Sequence, residues 1–388
     1  MKKVIFLIHT LGGGGAEKVL VNLVNNMDKS KFDVTLMTVI DTGIYKESLC
    51  KDVKYKTIIK FPFKNNNNKS GSLLSTISLK KRVAIFLYNL FWKFFPVKLI
   101  HKIFIGNNYD IEVAFLEGIC AKIISSSSNR NSRKYAWIHV DLEQQHKSKD
   151  VFRNYEDESS TYDKFDNIVC VSDYVRNKFC KLLNIDKSKV IVKYNPIDSN
   201  EIIAKSEEPS SITRKKFTIC SVGRLNKQKN YMRLARCTKM LLDKGYDFDV
   251  WIIGEGSGRE EIEQYVRENK LEGNFYLLGY MQNPYSILAN ADLFVCSSYA
   301  EGYSTSVVES LILGKPVVTT DCAGMKEIFS GYDCGIITQN DDDALCKGIE
   351  YVISSEQEFL KLRNGAIVRG KQFDIMNNVR EIEELLCK

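Results

Sequence analysis

Short runs of apolar residues alternate with stretches of helical periodicity along the first half of this chain. The run at Val4–Ile8 is apolar throughout, which is typical of a parallel strand buried on both faces. Apolar residues with the spacing of an amphipathic helix follow over residues 16–26. The same reasoning predicts further strands at residues 33–39, 53–59, 111–116, 135–140, 168–171 and 190–194.

A second alternating series begins after residue 216. Its predicted strands are residues 217–222, 248–253, 275–278, 293–297 and 317–320, and its clearest helices are residues 231–242 and 259–269 together with one that begins near Val307 and is ended by Gly314 and Pro316.

Two such series in tandem predict an α/β protein of two doubly wound, Rossmann-like domains that face one another across a cleft. We place the N-terminal domain at residues 1–200 and the second domain at 201–370, with the connection in 201–216. Residues 371–388 are expected to form a final helix that packs back on the first domain.

Composition agrees with this division. A chain of 388 residues is long enough for two hydrophobic cores, and 44% hydrophobic with 27% charged residues is typical of globular proteins. The 11 cysteines form no C-x-x-C pair or metal-ligand spacing, and residues 1–3 lead directly into the first strand. We therefore expect reduced thiols, no structural zinc and a cytoplasmic protein.

The net charge of +7 is concentrated in one region, because residues 51–105 contain 12 Lys/Arg and a single acid, Asp52. Within it, residues 79–105 are rich in aromatic and aliphatic side chains, but the longest uncharged run, 83–92, is too short to span a bilayer. Two interpretations stay open: a helix lying on an anionic membrane surface, or helices packed on the N-terminal sheet. Nucleic acid is not expected, since no binding motif accompanies the charge.

The candidate chemistry is concentrated around two acids eight residues apart. Glu301 follows the strand at 293–297, at the edge where open α/β sheets bind ligands, and Glu309 lies about one turn into the next helix. Backbone N–H groups of Ser304–Ser306 at that helix start can bind an anion. The pattern suits a nucleotide-sugar. Alternatively, Ser306 and Glu309 form an S-x-x-E capping box, and Glu301 is an ordinary turn residue.

Two loops could bind phosphate. Residues 12–18 form a glycine-rich turn between the first strand and helix, but Lys18 occupies the place of the third glycine of a dinucleotide fingerprint. Residues 223–230 leave a strand through Gly223 and place Arg224, Lys227 and Lys229 before a helix. Arginine offers phosphate a planar fork and lysine a point charge, although a solvated basic turn has the same composition.

Other polar residues have simpler explanations. His139 ends the strand at 135–140, where a structural role competes with a site role, and His9 is a weaker candidate. The D-x-D at Asp247–Asp249 fits a turn before a strand, and Asp341–Asp343 fits a helix N-cap. We expect no metal and no cofactor.

The segment E-G-[FY]-x5-E-[AS]-x3-G-x-P-V-V resembles the signature of the retaining family-4 glycosyltransferases, which have the GT-B fold. In this chain it consists of Glu301-Gly302-Tyr303, Glu309-Ser310 and Gly314–Val318. The segment 223–230 is similar to the family's G-R-L-x-x-x-K-[GN], and residues 12–18 are similar to its N-domain loop. The resemblance is specific in the second domain and looser in the first.

The resemblance implies transfer of a hexose from a nucleoside diphosphate sugar, with UDP as the default nucleotide, to an acceptor with retention of configuration. Glu301 would hold a sugar hydroxyl, Glu309 the ribose, Arg224 and Lys229 the diphosphate, and His139 would lie next to the donor sugar. The remaining donor contacts that it implies are Gly14, Gly15, Gly302, Tyr303, Ser304, Thr305 and Tyr280.

The acceptor expected from these observations together is a glycan, most simply a lipid-linked saccharide at the inner membrane face, in the assembly of a bacterial surface polysaccharide such as a capsule. Two other functions remain open. A nucleotide-sugar epimerase would convert the donor without an acceptor, and a binding subunit of a glycosyltransferase complex would bind the donor without transfer.

Overall fold

The computed structural model describes residues 1–60, 92–146, 150–210 and 212–388. The chain divides into two compact units. Unit 1 contains Met1–Pro196 together with Met376–Lys388, and unit 2 contains Ile197–Ile375. The division at 196/197 lies four residues before the predicted boundary at 200/201, and the closing segment grouped with unit 1 begins at Met376 instead of residue 371.

Unit 1 is built on a seven-stranded parallel sheet with the order β3-β2-β1-β4-β5-β6-β7. The order reverses between β1 and β4, which is the switch point at which doubly wound sheets bind ligands. The strands are β1 Lys2–Ile8, β2 Phe32–Ile40, β3 Lys54–Ile59, β4 Ile111–Ala114, β5 Arg133–Ile138, β6 Asn167–Cys170 and β7 Val190–Val192.

The helices of unit 1 connect these strands, and each predicted strand of this half is confirmed within a few residues. The α-helices are Gly15–Asn26, Val97–Ile100, Ile119–Ser125, Tyr155–Tyr162, Asp173–Leu183 and the closing Ile375–Cys387; Ile44–Ser48 and Lys187–Lys189 are 3₁₀ turns, and His101–Ile105 is a π-helical turn. Tyr135 Oη donates a hydrogen bond to the backbone of Leu385 (3.1 Å), and Lys193 pairs with Glu381 (2.8 Å), so the closing helix packs against the sheet of unit 1.

Unit 2 repeats this design with a six-stranded parallel sheet in the order β10-β9-β8-β11-β12-β13. Its switch point lies between β8 and β11. The strands are β8 Phe217–Val222, β9 Phe248–Ile253, β10 Phe275–Gly279, β11 Leu293–Cys296, β12 Val317–Thr320 and β13 Gly335–Thr338. The helices are Ser199–Ser206, Tyr231–Asp243, Arg259–Glu268, Tyr285–Asn290, Thr305–Ile312, Met325–Phe329, Asp342–Ile353 and Glu356–Gly370.

Two elements of unit 2 differ from the prediction. The region 201–216 was expected to be a connection, but its first part belongs to the helix Ser199–Ser206, capped by Asp198, which accepts from the Glu201 N–H (3.0 Å). The edge strand β13 was not predicted, because its short Gly-Ile-Ile-Thr run is only partly buried and lacks a strong apolar pattern.

The basic segment has two faces where the structure describes it; residues 79–91 of the predicted membrane segment lie outside the described residues. Trp92, Ile100, His101 and Ile105 are buried in unit 1. The opposite side is exposed, and we call it the apolar–basic face: Phe94, Lys98, Leu99, Lys102, Ile103 and Phe104. The buried side chains agree with packing in unit 1, whereas membrane binding by the exposed face remains a prediction.

Candidate functional site

Glu301 lies in the loop after β11 with only 7% of its surface exposed. Its Oε1 accepts hydrogen bonds from Lys229 Nζ (2.7 Å) and Ser298 Oγ (2.6 Å). Among the residues that the structure describes, Glu301 Oε2 has no hydrogen-bond donor. These hydrogen bonds compensate for the burial of one carboxylate oxygen, and the other oxygen is left over for a ligand.

Lys229 is the cation of this pair and is held tightly. Its backbone N–H donates to Asn226 Oδ1 (3.0 Å), and its carbonyl accepts from Ser297 Oγ (2.8 Å). Burial lowers the pKa of Lys229, but the charge and hydrogen bond of Glu301, together with Cys296 and Tyr231, outweigh burial and leave that pKa above its ordinary value. Lys229 is therefore a permanent positive charge in the loop after β8.

Gly223 makes room for this lysine. Its φ is +157°, and a Cβ at this position would lie 2.8 Å from Tyr231 Oη and 3.1 Å from Lys229 Cε. Any side chain at residue 223 would displace the lysine or the tyrosine, so glycine is needed here for packing as well as for backbone conformation.

Arg224 differs from Lys229 in its exposure and in its partners. It is exposed, and it makes no hydrogen bond or ion pair with a described residue. Its backbone is nevertheless well placed, because the neighbouring Gly223 N–H donates to Ile253 (3.0 Å) and Leu225 N–H donates to Glu255 (3.0 Å). A firmly held backbone with an unengaged guanidinium is what bidentate phosphate binding requires.

A glycine-rich loop at residues 254–258 supports the Arg224 turn and was not singled out from sequence. A Cβ on Gly254 would lie 1.9 Å from the Gly223 carbonyl oxygen, and one on Gly256 would lie 2.3 Å from that of Leu225. The two loops therefore meet backbone to backbone. Three glycines in five residues directly after a predicted strand were the available signal.

The helix Thr305–Ile312 begins beside Glu301, and its start corrects one prediction. The N-cap is Ser304, whose side chain makes no capping hydrogen bond, and Ser306 lies inside the helix, so the Ser306–Glu309 capping box is wrong. Glu309 Oε1 accepts a hydrogen bond from the buried Tyr285 Oη (3.1 Å). The first N–H groups of this helix consequently have no side-chain cap, which favours an anion there.

The other predicted donor residues of unit 2 surround this start with different exposures. Gly302 and Tyr303 are buried, and Gly324 approaches so closely that a Cβ on it would lie 2.7 Å from the Gly302 carbonyl oxygen. Thr305 is partly exposed. Tyr280 follows β10 and has 56% of its surface exposed, so its ring is accessible.

Unit 1 presents His139 directly after β5. The imidazole is 9% exposed, and burial lowers its pKa to about 4, so it is neutral near pH 7. One ring nitrogen bonds the Phe115 backbone, whereas the buried Nε2 has no partner among the described residues. If the bonded nitrogen carries the proton, Nε2 is a hydrogen-bond acceptor that a hydroxyl group could satisfy.

Glu117 holds the backbone at His139 and was missed by the sequence analysis. Its Oε1 accepts from the backbone N–H groups of His139 and Val140, the latter at 3.2 Å. Burial raises the pKa of Glu117 to about 7 despite these hydrogen bonds. The signal was a Glu-Gly pair after the predicted strand at 111–116, which matches the position of Glu301-Gly302 in unit 2.

The glycine-rich turn of unit 1 leads into the helix Gly15–Asn26 with Gly14 as its N-cap. A Cβ on Gly14 would lie 2.2 Å from Glu17 Oε2, so the Glu17 carboxylate lies over this turn. An anion that binds at Gly14 and Gly15 would have to displace this side chain. Their assignment to the donor therefore remains a prediction, less supported by geometry than that of Arg224 or Lys229.

The remaining polar candidates are engaged elsewhere. His101 pairs with buried Glu112 (2.6 Å), and His146 pairs with buried Glu158 (2.7 Å). In the D-x-D, Asp247 pairs with Lys216 (2.6 Å). Asp341 accepts from the Ala344 N–H (2.8 Å), which confirms the predicted N-cap. Burial lowers the pKa of His9.

In the described part of the chain, no group of three or more His, Cys, Asp or Glu side chains is placed to hold a metal ion. No helix in the described residues combines the length and apolar character needed to cross a membrane.

The comparison with known sequences points to one class of enzyme. Residues 203–373 match the family Glycosyl transferases group 1. The chain is 32% identical over 213 residues to the N-acetylgalactosamine-N,N'-diacetylbacillosaminyl-diphospho-undecaprenol 4-alpha-N-acetylgalactosaminyltransferase of Campylobacter jejuni, covering 54% of this chain and 56% of that enzyme. The chain thus spans about half the length of the first curated relatives it matches.

A second relative aligns from end to end at lower identity. This is the Campylobacter jejuni GalNAc-alpha-(1->4)-GalNAc-alpha-(1->3)-diNAcBac-PP-undecaprenol alpha-1,4-N-acetyl-D-galactosaminyltransferase, 24% identical over 394 residues, with 100% of this chain and 99% of that enzyme covered. Among solved structures, Anabaena Alr3699/HepE in complex with UDP and glucose superposes over the full length of both chains with a TM-score of 0.74 and 18% identity.

These findings agree with the geometry of the two sheets. The similarity to Alr3699/HepE is one of fold, and the sequence match lies in the unit that carries Arg224, Lys229, Glu301 and Glu309. The chain has the GT-B fold of glycosyltransferases, and its second unit matches the Glycosyl transferases group 1 family.

Proposed function

We propose that this protein is a retaining glycosyltransferase that moves a hexose from a UDP-sugar to a lipid-linked glycan acceptor in bacterial surface polysaccharide assembly. The observation that carries the proposal is the Lys229–Glu301 pair, which lies at a sheet edge beside the unengaged Arg224 and an uncapped helix start. The relatives named above act on undecaprenol-linked saccharides, and the solved structure contains UDP and glucose, which supports this choice of substrates.

The diphosphate is assigned to the positive groups of unit 2. Lys229 uses one N–H for Glu301 and has two more for a phosphate oxygen. Arg224 supplies a second, fully available cation, and the N–H groups at Thr305 and Ser306 extend the anion site. These groups stabilise the charge that develops on the departing diphosphate, which is the main electrostatic need of glycosyl transfer.

The sugar and ribose are assigned to the acids. Glu301 Oε2 accepts a hydroxyl of the donor sugar, and Glu309, oriented by Tyr285, accepts a ribose hydroxyl. His139, neutral and with an open Nε2, accepts a hydroxyl of bound substrate. Tyr280 is assigned to the nucleobase through its accessible ring.

The reaction that we assign needs no covalent enzyme intermediate. The bond between the anomeric carbon and the diphosphate oxygen breaks, the bond to the acceptor oxygen forms on the same face, and the acceptor proton passes to the departing phosphate. Nothing is oxidised or reduced. The protein contributes orientation and charge stabilisation, and because Arg224 and Lys229 provide that charge, we expect turnover to persist in EDTA.

Membrane docking is assigned to the apolar–basic face. Ile103 and Phe94 have 64% and 61% of their surfaces exposed, with Lys98 and Lys102 beside them. Exposed large apolar side chains interleaved with lysines suit the headgroup region of an anionic bilayer, where apolar contact and charge act together. Such docking would bring the enzyme to a lipid-linked acceptor.

Vesicle co-sedimentation tests the docking separately from catalysis. Wild-type protein should sediment with phosphatidylcholine vesicles that contain about one third phosphatidylglycerol and remain in solution with phosphatidylcholine alone. Changing Lys98 and Lys102 to Glu should abolish binding, whereas the same change at Lys181 and Lys187, exposed elsewhere in unit 1, should not. Equal binding by both double variants would contradict this assignment.

The central experiment combines donor binding with turnover. A thermal-shift screen against UDP, GDP, ADP and their hexose conjugates should give the largest rise with one UDP-sugar. That donor is then incubated with and without a polyprenyl-diphosphate-linked saccharide. Sugar transfer with retained configuration supports the proposal, conversion of the donor without acceptor would identify an epimerase, and binding without reaction would favour a binding subunit.

A further inference from the structure

Glu117 has hydrogen-bond partners unlike those of Glu301, the acid of the proposed donor site. This carboxylate is buried in unit 1, yet it bonds no lysine or arginine among the described residues. Its Oε1 is instead shared by two backbone N–H groups, those of His139 and Val140. Because two successive N–H groups converge on one oxygen, the side chain fixes the path of the chain at the point where β5 ends.

This contact determines where the His139 ring lies. The ring centroid is 4.9 Å from that of Phe115, and the Phe115 backbone bonds the ring as well. Phe115 and Glu117 belong to the same short segment after β4. One segment thus holds both the ring and the backbone of His139, and leaves Nε2 as the part of the residue without a partner.

We propose that Glu117 is a positioning residue that holds His139 for substrate through its backbone N–H, and that protonation of Glu117 weakens this hold. The role of His139 in turnover rests on the proposed function, whereas the contact between Glu117 and the His139 amide does not. An ionised carboxylate accepts hydrogen bonds about twice as strongly as a neutral one, so the change in charge matters at the His139 amide.

The groups around Glu117 favour a change of charge near neutral pH. No described cation faces it, and Glu158 on the helix Tyr155–Tyr162 adds negative charge that raises its pKa further. Burial is the largest cause, and the pKa is about 7. The titratable groups that face it from the surrounding elements are His139 after β5, Glu158 and Tyr162, Cys120 on the helix Ile119–Ser125, and Cys170 on β6.

Histidine-selective NMR tests the hold without any assay of turnover. The chain contains four histidines, so a protein labelled with ¹⁵N-histidine gives four backbone amide signals, and the His139 signal is assigned as the one lost in His139→Asn. We expect this amide to move upfield as pH falls from about 8.5 to about 5.5, with a midpoint near the pKa of Glu117. A His139 amide that is independent of pH in the wild type would overturn the proposal.

Two variants make the assignment specific. Glu117→Gln keeps an acceptor oxygen but does not titrate, so the pH dependence of the His139 amide should vanish. Glu112→Gln is the matched control, since Glu112 is another acid of unit 1 that lies on β4 and bonds His101 and Ser127 instead. A His139 titration that survives in Glu117→Gln, or that is lost in Glu112→Gln, would contradict the proposal.

Steady-state kinetics then tests whether the contact between Glu117 and the His139 amide matters for turnover. The kcat of the wild type should decline below about pH 7. The kcat of Glu117→Gln should be about tenfold lower and should no longer depend on pH in this range, and that of Glu117→Ala should be lower still. The donor KM of both variants should stay within about twofold of the wild-type value. A pH profile of Glu117→Gln equal to that of the wild type would overturn the link. If no variant transfers sugar but the NMR titration holds, the proposed function fails and the positioning contact stands.

Discussion

The two units carry a Glu-Gly pair at the same place in the fold, after a central strand next to the switch point, and use it differently. In unit 2, Glu301 is neutralised by Lys229 and leaves one oxygen open. In unit 1, Glu117 accepts hydrogen bonds from backbone N–H groups, and burial raises its pKa to about 7. The two acids differ in their partners: a lysine pairs with Glu301 and leaves one oxygen open to a ligand, whereas two backbone amides make Glu117 a support for its neighbour.

The charge of the two sheet edges differs accordingly. Unit 2 presents Arg224 and Lys229, and unit 1 presents a neutral imidazole, His139, whose pKa is lowered by burial. An edge with fixed positive charge suits a diphosphate, and an edge with an open hydrogen-bond acceptor suits hydroxyl groups. This difference supports the proposed nucleotide site in unit 2 and the proposed hydroxyl contact in unit 1.

Removal of Lys229 should have the largest effect, because this residue contributes both to donor binding and to the stability of the fold. Lys229→Ala leaves Glu301 buried without its cation, which costs about 3–5 kcal/mol of unfolding free energy. It should also lower kcat/KM by about a hundredfold or more, and Glu301→Ala should do the same to kcat/KM. Denaturant unfolding and steady-state kinetics measure the two effects. A folded, near-normal Lys229→Ala enzyme would remove the pair from the site.

Arg224→Ala should lower kcat/KM by about a hundredfold while leaving stability within about 0.5 kcal/mol, because the side chain is exposed and unpaired. Lys227→Ala, the exposed cation three residues away, is the matched control and should change neither quantity much. The thermal shift with UDP should shrink only in Arg224→Ala. Equal losses in both variants would indicate a general basic surface instead of a specific phosphate contact.

Glu117 should make the stability of the protein depend on pH. Its folded pKa of about 7 exceeds the ordinary 4.5, so the folded state binds more protons than the unfolded state between these values, and stability falls as pH rises through them. Glu117→Gln removes this loss. It should therefore be more stable than wild type by about 3 kcal/mol at pH 8 and by almost nothing at pH 4. An equal difference at both values would contradict the shift.

The smallest effect is expected at the ribose contact. Tyr285→Phe removes the hydroxyl that donates to Glu309 and little else. A single hydrogen bond contributes about 1 kcal/mol, so donor KM should rise about fivefold with kcat nearly unchanged. Tyr135→Phe, which removes a buried hydroxyl that bonds Leu385 in unit 1, is the control and should leave donor KM unchanged. An unchanged donor KM in Tyr285→Phe would separate Glu309 from the ribose.

Sequence patterns predicted the strands of both units well. Strands β8, β9 and β12 begin and end at the predicted residues, since a run of apolar residues bounded by polar ones is a property of the local sequence. Strand β13 and the helix Ser199–Ser206 were missed because tertiary contacts stabilise them despite weak local patterns. The motif residues Arg224, Lys229, Glu301 and Glu309 were all identified from sequence as candidates, and the structure places them at one edge of the unit 2 sheet.

What the sequence by itself determined is the alternation that specifies two parallel sheets and the loops in which polar residues follow buried strands. The sequence by itself could not determine which side chains contact one another. Lys229 bonds Glu301, which is 72 residues away, and Glu117 bonds the amide of His139. Ser306 does not cap its helix. These contacts are consequences of how strands pair and loops meet. Local propensity acts over a few residues, whereas the ionisation and accessibility of a side chain depend on its neighbours in space, and only the tertiary structure decides those.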